Sequence, residues 1–426
     1  MQLELQNIAK MKEAKIKFDG ITVIAGENNT GKSTIGKVVY SIFNSMYNME
    51  KKIIREKHNK IEEIVWRVLQ GRKLPDRMGP EQYRRINRTR ARKLANIIMN
   101  IDATDDVKNI QSIVEGFFED LGIQEDTKEF VEECVFKVKN IIEVSDEKLM
   151  MEVVTRWFNR VFESQVSPLN NENEISEIRL KLKEKYINFI FQNNRCTNLN
   201  SEINILHEAF YIDNPFVIDY MAETILAMDL KSTDSHLLGC LEAKTDLFED
   251  IFDAVMAKDK LEEIESILSN IVDGTFVENQ EGEYCLSSNK FNKPINVKNL
   301  STGLKSFALI KRLLENGSLK ERDVLILDEP EIHLHPEWQL SYAEIIVLLQ
   351  KQFDITVIIT THSPYFLDAI DVFSAKYKIS DRVNYYLAKD EMGNAYLDDI
   401  TNNIDMVYKK LSDPLQKLES LRSQLI

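Results

Sequence analysis

One stretch of this sequence has the residue types and spacing to hold a phosphate chain. Gly26-Glu27-Asn28-Asn29-Thr30-Gly31-Lys32-Ser33-Thr34 satisfies the pattern G-x-x-x-x-G-K-[ST] at every specified position. Glycines let backbone N–H groups curl around an anion, and a helix N-terminus adds positive potential where they converge. In such a loop Lys32 neutralises β and γ oxygens and the Ser33 hydroxyl ligates Mg²⁺, so the expected ligand is ATP with its cation. All of Gly26 to Thr34 are candidate nucleotide-binding residues, with Ser33 also a candidate metal ligand. A glycine turn with a chance lysine is the alternative, and the context speaks against it. The apolar run Ile21 to Ala25 precedes the loop, and Ile35, Val38, Val39, Ile42 and Phe43 follow at helical spacing.

Two later apolar runs also end in groups that can do chemistry. Val324-Leu325-Ile326-Leu327 leads into Asp328-Glu329-Pro330, the form of a central parallel strand whose C-terminal end faces a ligand. Beside a phosphate loop, Asp328 is placed to hold Mg²⁺ through water and Glu329 to polarise an attacking water as general base. Taken alone the pair reads equally as a solvated strand end. Ile355 to Thr361 is a further β-branched run that ends at His362-Ser363-Pro364. At such a strand end His362 is the candidate for a hydrogen bond to the γ-phosphate, its alternative being a satisfied structural histidine.

Asn299-Leu300-Ser301-Thr302-Gly303-Leu304-Lys305-Ser306 precedes a helical pattern of Phe307, Ile310, Leu313 and Leu314, and Ser301 there is a good cap. Phosphate loop, Leu-Ser-Thr-Gly, Leu-Asp-Glu-Pro and Thr-Thr-His-Ser, in that order, together resemble the ABC ATPases. Asp328 to Pro336 (Asp-Glu-Pro-Glu-Ile-His-Leu-His-Pro) resembles specifically the RecF, SMC and OLD-like branch. The matching segments are roughly residues 1–45 and 275–375. The resemblance implies an α/β fold, an ABC-type ATPase sheet flanked by helices, and hydrolysis of ATP to ADP and phosphate. It also implies that Ser301 and Gly303 reach across a dimer interface to the γ-phosphate held by a partner, giving a homodimer or higher homo-oligomer.

Several positions depart from that pattern. Thr302-Gly303-Leu304-Lys305 stands where Gly-Gly-Gln usually follows the serine, so the contact there is expected to use Lys305 differently and turnover to be slow. His335 falls where many relatives carry an aspartate. His333 and His335 offer a metal pair only if further ligands join them. Pro336-Glu337-Trp338 begins a helix expected to run through Leu349.

The elements that must position these groups are split in sequence. Strands are expected around Leu3 and Leu5 and around Ile16 and Phe18. They return at Thr275 to Glu278, at Glu283 to Leu286 and as a pair around Tyr385 to Leu397. Residues 1–45 and 274–426 thus read as one ATPase domain, and 46–273 as a mostly helical inserted lobe. Ile110, Ile113, Val114, Phe117, Phe118 and Leu121 form an apolar stripe that reads as core. Pro75, Pro80, Pro168 and Pro215 interrupt the region, which argues for a compact lobe over a long coiled coil. Residues 208–213 read as a strand that returns to the main sheet. The tail from about Lys376 is expected to close with an amphipathic helix from about Asp405, with no room for a nuclease-type domain.

Composition bounds the rest. With 43% hydrophobic and 29% charged residues and few glycines and prolines, the chain reads as globular and helix-rich. Its N-terminus has neither the basic start nor the apolar run of a signal peptide, and no apolar run suits a membrane span, so a cytoplasmic location is expected. Cys134, Cys196, Cys240 and Cys285 are too scattered for a disulfide framework or a spaced zinc motif and read as reduced and structural. A net charge of −15 argues against a surface that coats nucleic acid throughout. Locally, Arg72, Lys73, Arg77, Arg84, Arg85, Arg88, Arg90, Arg92 and Lys93 face only Asp76 and Glu81 in sequence, so DNA could be held through the Arg72–Lys93 region. A solvated helix face, or an interface for an acidic partner, accounts for that stretch equally well.

The long separation of Lys32 from Ser301 argues against a transporter subunit. The chain resembles ATPase components of bacterial antiphage modules of the Septu or PARIS type, whose effector protein is encoded by a neighbouring gene. Two alternatives stand beside that reading: a DNA-repair or chromosome-maintenance ATPase, and an ATP-binding scaffold with negligible turnover.

Overall fold

The computed structural model describes residues 1–70, 79–100, 107–120, 128–171, 173–223, 230–243 and 251–405, and then 407–408, 418 and 420–423. It divides into two compact units, one of Met1–Tyr47 with Val154–Ile426 and one of Asn48–Val153.

Among the described residues, the first unit is built on an eleven-stranded sheet. Its parallel part contains β3 (Ile21–Gly26), β7 (Ala209–Ile212), β11 (Val324–Asp328), β12 (Thr356–Thr361) and β13 (Val383–Glu391), in the order β13-β3-β12-β11-β7. These strands are apolar on both faces, as expected where helices cover both sides. Register then does the positioning. Asp328 pairs with Thr360 and Thr361 with Ala25, so Gly26, Asp328 and Thr361 end at the same sheet edge.

Six more strands extend the sheet, β1 (Gln2–Ile8), β2 (Met11–Lys17), β4 (Ser176–Leu182), β5 (Lys185–Gln192), β6 (Arg195–Ser201) and β14 (Asn394–Asp399), paired antiparallel except where β14 meets β2 in parallel. Covering helices are α1 (Lys32–Met46), α7 (Ser232–Glu242), α8 (Ile251–Ile271), α9 (Thr302–Glu315), α10 (Pro336–Phe353) and α11 (Pro364–Lys376). A small antiparallel sheet joins β8 (Thr275–Glu278), β9 (Tyr284–Ser287) and β10 (Ile295–Asn296).

The second unit is helical, with α2 (Met49–Gln70), α3 (Pro80–Met99), α4 (Val107–Asp120), α5 (Lys128–Glu143) and the start of α6 (Asp146–Val161). Ile110, Val114 and Phe118 of the predicted stripe are buried in its core with Ile61, Val65, Leu94 and Ile98, while Leu121 lies outside the described residues.

The helical region is shorter than the sequence reading of 46–273. Residues 176–212 supply four strands to the main sheet, β7 among them. The signal was present in the alternation Ile178, Leu180 and then Ile187, Phe189, Phe191, all buried. Asn193 and Asn194, both with positive φ, make the two-residue turn that the twist of a hairpin favours. The final helix predicted from Asp405 falls mostly outside the described residues. Among the described residues, no helix is long and apolar enough to cross a membrane.

One buried carboxylate gives the sheet a pH-dependent joint. Asp323, 4% exposed, accepts from the N–H of Glu208 at 3.2 Å and of Lys320 at 2.7 Å, so it ties the start of β7 to the start of β11. Burial pushes its carboxyl up to about 7, with those two N–H donors opposing the rise. The folded chain therefore holds a proton that the unfolded chain has released. Its contribution to stability is complete below about pH 4 and is lost as pH rises through about 7. The melting temperature of Asp323→Asn relative to the parent is expected to climb between about pH 5 and about pH 8; a difference independent of pH would contradict this.

Candidate functional site

The turn between β3 and α1 can exist only with glycine at its two ends. At Gly31 φ is 80°, and a Cβ would stand 2.9 Å from that of Ala395. At Gly26 φ is 153°, and a Cβ would lie 2.7 Å from the carbonyl oxygen of Ala388. Gly31 also caps α1 without a side chain, and no acidic residue occupies the first turn. The helix N–H groups and positive potential there are left to an anion.

Lys32 is 4% exposed. Its ammonium donates to the carbonyls of Gly26 at 3.2 Å and Glu27 at 2.8 Å and lies 3.1 Å from His362 Nε2. Burial lowers its pKa, and the carboxylates of Glu329, Asp328 and Glu331 pull it back up. A bound polyphosphate would supply the anionic partner that favours the charged form of this buried amine.

Around the loop the strand ends converge. Ser33 Oγ donates to Asp328 Oδ1 at 3.1 Å, Thr360 Oγ1 donates to the same oxygen, and Tyr211 donates to Oδ2 at 2.5 Å. Glu329 has φ 54°, turned out of the strand, and its N–H is anchored on the Thr360 carbonyl at 3.1 Å. Its Oε1 meets His362 Nε2 at 2.5 Å. Glu329 also lines a cavity with Lys10, Asn29 to Thr34, Lys37 and Gln165. The structure thus brings Lys32, Ser33, Asp328, Glu329 and His362 together. A hydroxyl and a carboxylate at the loop form a pair of oxygen donors of the kind Mg²⁺ takes, so the residues present fit that ion.

Other candidates lie elsewhere. Ser301 is exposed at the N-terminus of α9, and Gly303 is buried where a Cβ would meet the His333 carbonyl and the Trp338 ring at 3.0 Å; neither lines the cavity. Lys305, 3% exposed, is turned inward. Its ammonium pairs with Asp219 at 2.6 Å, donates to the Lys298 carbonyl and sits 4.9 Å over the Phe216 ring. His335 Nδ1 accepts from the Glu337 N–H as the cap of α10, while His333 packs edge-on to Phe216, and neither joins a three-ligand cluster among the described residues. In the second unit Arg84, Arg85, Arg88, Arg90, Arg92 and Lys93 are exposed on α3; Arg72, Lys73 and Arg77 lie outside the described residues.

Sequence reasoning missed three groups that hold the site. Tyr211 is buried on β7, and burial, then the Asp328 carboxylate, keep its hydroxyl well above its usual range and hence a donor. Glu331, 6% exposed, accepts from Thr361 Oγ1 at 2.5 Å and from the N–H groups of His362 and Ser363 at 2.9 and 3.2 Å. It thereby fixes the backbone that presents His362. Lys10 donates to the Asn29 carbonyl at 2.5 Å and steadies the loop's outer edge. None of these follows from a local pattern, because each acts across long sequence separations.

Residues 169–368 match a family model described as "AAA domain, putative AbiEii toxin, Type IV TA system". The match takes in Asp328, Glu329 and His362. A curated relative is the "Probable ABC transporter ATP-binding protein p29" of Mesomycoplasma hyorhinis. It is 23% identical over 188 residues, which are 44% of this chain and 65% of that protein, so this chain spans just under two thirds of the relative's length. Solved structures similar to the chain include the SMC head bound to the C-winged helix domain of ScpA, 11% identical, covering 95% of this chain and 98% of that one at a TM-score of 0.40. The SMC head domain from Thermotoga maritima is also 11% identical, with coverages of 93% and 97% and a TM-score of 0.37. The match over residues 169–368 takes in just under half of the chain, and the loop at Gly26–Thr34 with the carboxylates beside it has the form of a P-loop nucleotide site.

Proposed function

We propose that this chain binds ATP at Gly26–Thr34 and hydrolyses it to ADP and phosphate, and that nucleotide draws two copies together. The observation that carries the reading is the meeting of Lys32, Ser33, Asp328, Glu329 and His362 at one sheet edge. Backbone N–H groups of the loop and the start of α1 cradle the β-phosphate, and Lys32 exchanges its carbonyl partners for phosphate oxygens. Ser33 and Asp328 would hold Mg²⁺, which supplies charge neutralisation on the β and γ oxygens when bound. Glu329 accepts a proton from the attacking water, and His362, oriented by Glu331, donates to the γ-phosphate. Ser301, exposed at the end of α9, is free to meet nucleotide held by a second copy.

The output is a DNA-directed or effector-directed defence process, with the effector a separate protein. Exposed arginines on α3 support a nucleic-acid contact. Turnover is tested by phosphate release from the purified chain, with mass by light scattering alongside. Release is expected only with both ATP and Mg²⁺, and mass is expected to double with ATP under conditions that block turnover. A chain that binds ATP without releasing phosphate would instead act by assembly.

A further inference from the structure

The other end of the parallel sheet carries a second cluster of ligating groups, independent of the nucleotide site. Glu208 immediately precedes β7, and His236 and Cys240 stand one turn apart on α7, on the same helix face. A carboxylate oxygen of Glu208, a ring nitrogen of His236 and the Cys240 sulfur lie within 4.8 Å of one another, with Sγ to Nε2 at 3.8 Å. Metal–ligand bonds of ~2.0–2.3 Å in a tetrahedron put neighbouring ligand atoms about 3.5 Å apart, so small side-chain rotations close the set.

The backbones that carry these ligands are already fixed. The Glu208 carbonyl accepts from Val324 at 2.9 Å, and its N–H donates to Asp323. The end of α7 is held at the Cys240 carbonyl by Ser318 Oγ at 2.7 Å and Asn316 Nδ2 at 2.8 Å. Tyr40 and Phe210 flank the His236 ring, with centroids at 5.8 and 6.1 Å.

We infer that Glu208, His236 and Cys240 bind a divalent transition-metal ion of the zinc class, fastening α7 to the edge strand β7. Thiolate, imidazole and carboxylate suit a borderline-soft ion and not Mg²⁺. All three ligands are only partly buried, which leaves the fourth tetrahedral position to water. Asp328 ends β11 while Glu208 sits beside its start, a strand length of roughly 13 Å at ~3.3 Å per residue, so one ion cannot serve both places. The consequence reaches the nucleotide site through β7, because that strand carries Tyr211, which donates to Asp328.

The test titrates reduced, metal-stripped full-length protein with Co²⁺. One equivalent is expected to raise a thiolate-to-cobalt charge-transfer band that Zn²⁺ then bleaches. Cys240→Ser and His236→Ala should each remove the band, and Asp328→Asn should keep it. A second measurement needs no variant: Zn²⁺ should slow alkylation of Cys240, mapped by mass spectrometry, by about tenfold or more. No band at one equivalent, a band that survives Cys240→Ser, or alkylation indifferent to Zn²⁺ would each overturn the inference and leave a thiol–imidazole hydrogen bond in its place.

Discussion

Glu329→Gln is expected to lower ATP turnover by about 100-fold or more while nucleotide affinity stays within a few-fold of the parent, since a positioned general base contributes ~10²–10⁴ in rate. The substitution is nearly isosteric. Glutamine still offers an oxygen to His362, and the anchor of residue 329 on the Thr360 carbonyl is a backbone contact that no side-chain change touches. What is lost is the capacity to take a proton from water, and a 100-fold effect corresponds to about 2.7 kcal/mol of barrier. A second consequence follows from charge. Glu329 is the largest of the three carboxylate influences that favour the charged form of Lys32 against burial, so the amine of the variant should titrate lower until nucleotide arrives. Steady-state phosphate release together with calorimetric titration of ATP separates the effects. Undiminished turnover would falsify the base assignment; equal loss of affinity and turnover would mean that Glu329 holds the loop and does no chemistry.

How much of this was legible in the sequence depends on the range over which each feature is determined. The strand–turn–helix geometry of Gly26–Thr34 was readable, because its requirements are local: two glycines at strained φ, a lysine, a hydroxyl, a strand before and a helix after. Asp328, Glu329 and His362 were readable as ends of buried strands, although only the register of β3, β12 and β11 brings them within reach of Lys32. Tyr211 and Glu331 were not. The first depends on the pairing of β7 with β11, and the second on the short turn after Glu329 folding back beneath β12. The strands from Ser176 to Ser201 were overlooked because long helical patterns on one side masked a clear two-residue alternation. Cysteine spacing likewise hid the grouping of Cys240 with Glu208, which a strand and a helix bring together across the chain.

Lys32→Ala is expected to weaken ATP binding by on the order of 100-fold or more, since hydrogen bonds to a charged group each contribute ~1.5–3 kcal/mol and the ammonium would make two to phosphate in place of its two carbonyl partners. The geometry also predicts what happens to the loop itself. Without Lys32 the carbonyls of Gly26 and Glu27 lose a donor at 3.2 and 2.8 Å, and the cluster of Asp328, Glu329 and Glu331 loses the buried cation that offsets it. Some loss of stability is therefore expected along with the loss of affinity, and the two must be told apart. Lys32→Met keeps the apolar stem and volume while removing the charge, so it should fold as well as or better than Lys32→Ala and bind ATP equally poorly. Titration with a non-hydrolysable ATP analogue, on samples whose melting curves match the parent, gives the comparison. Affinity retained in Lys32→Met would sink the phosphate-loop role outright.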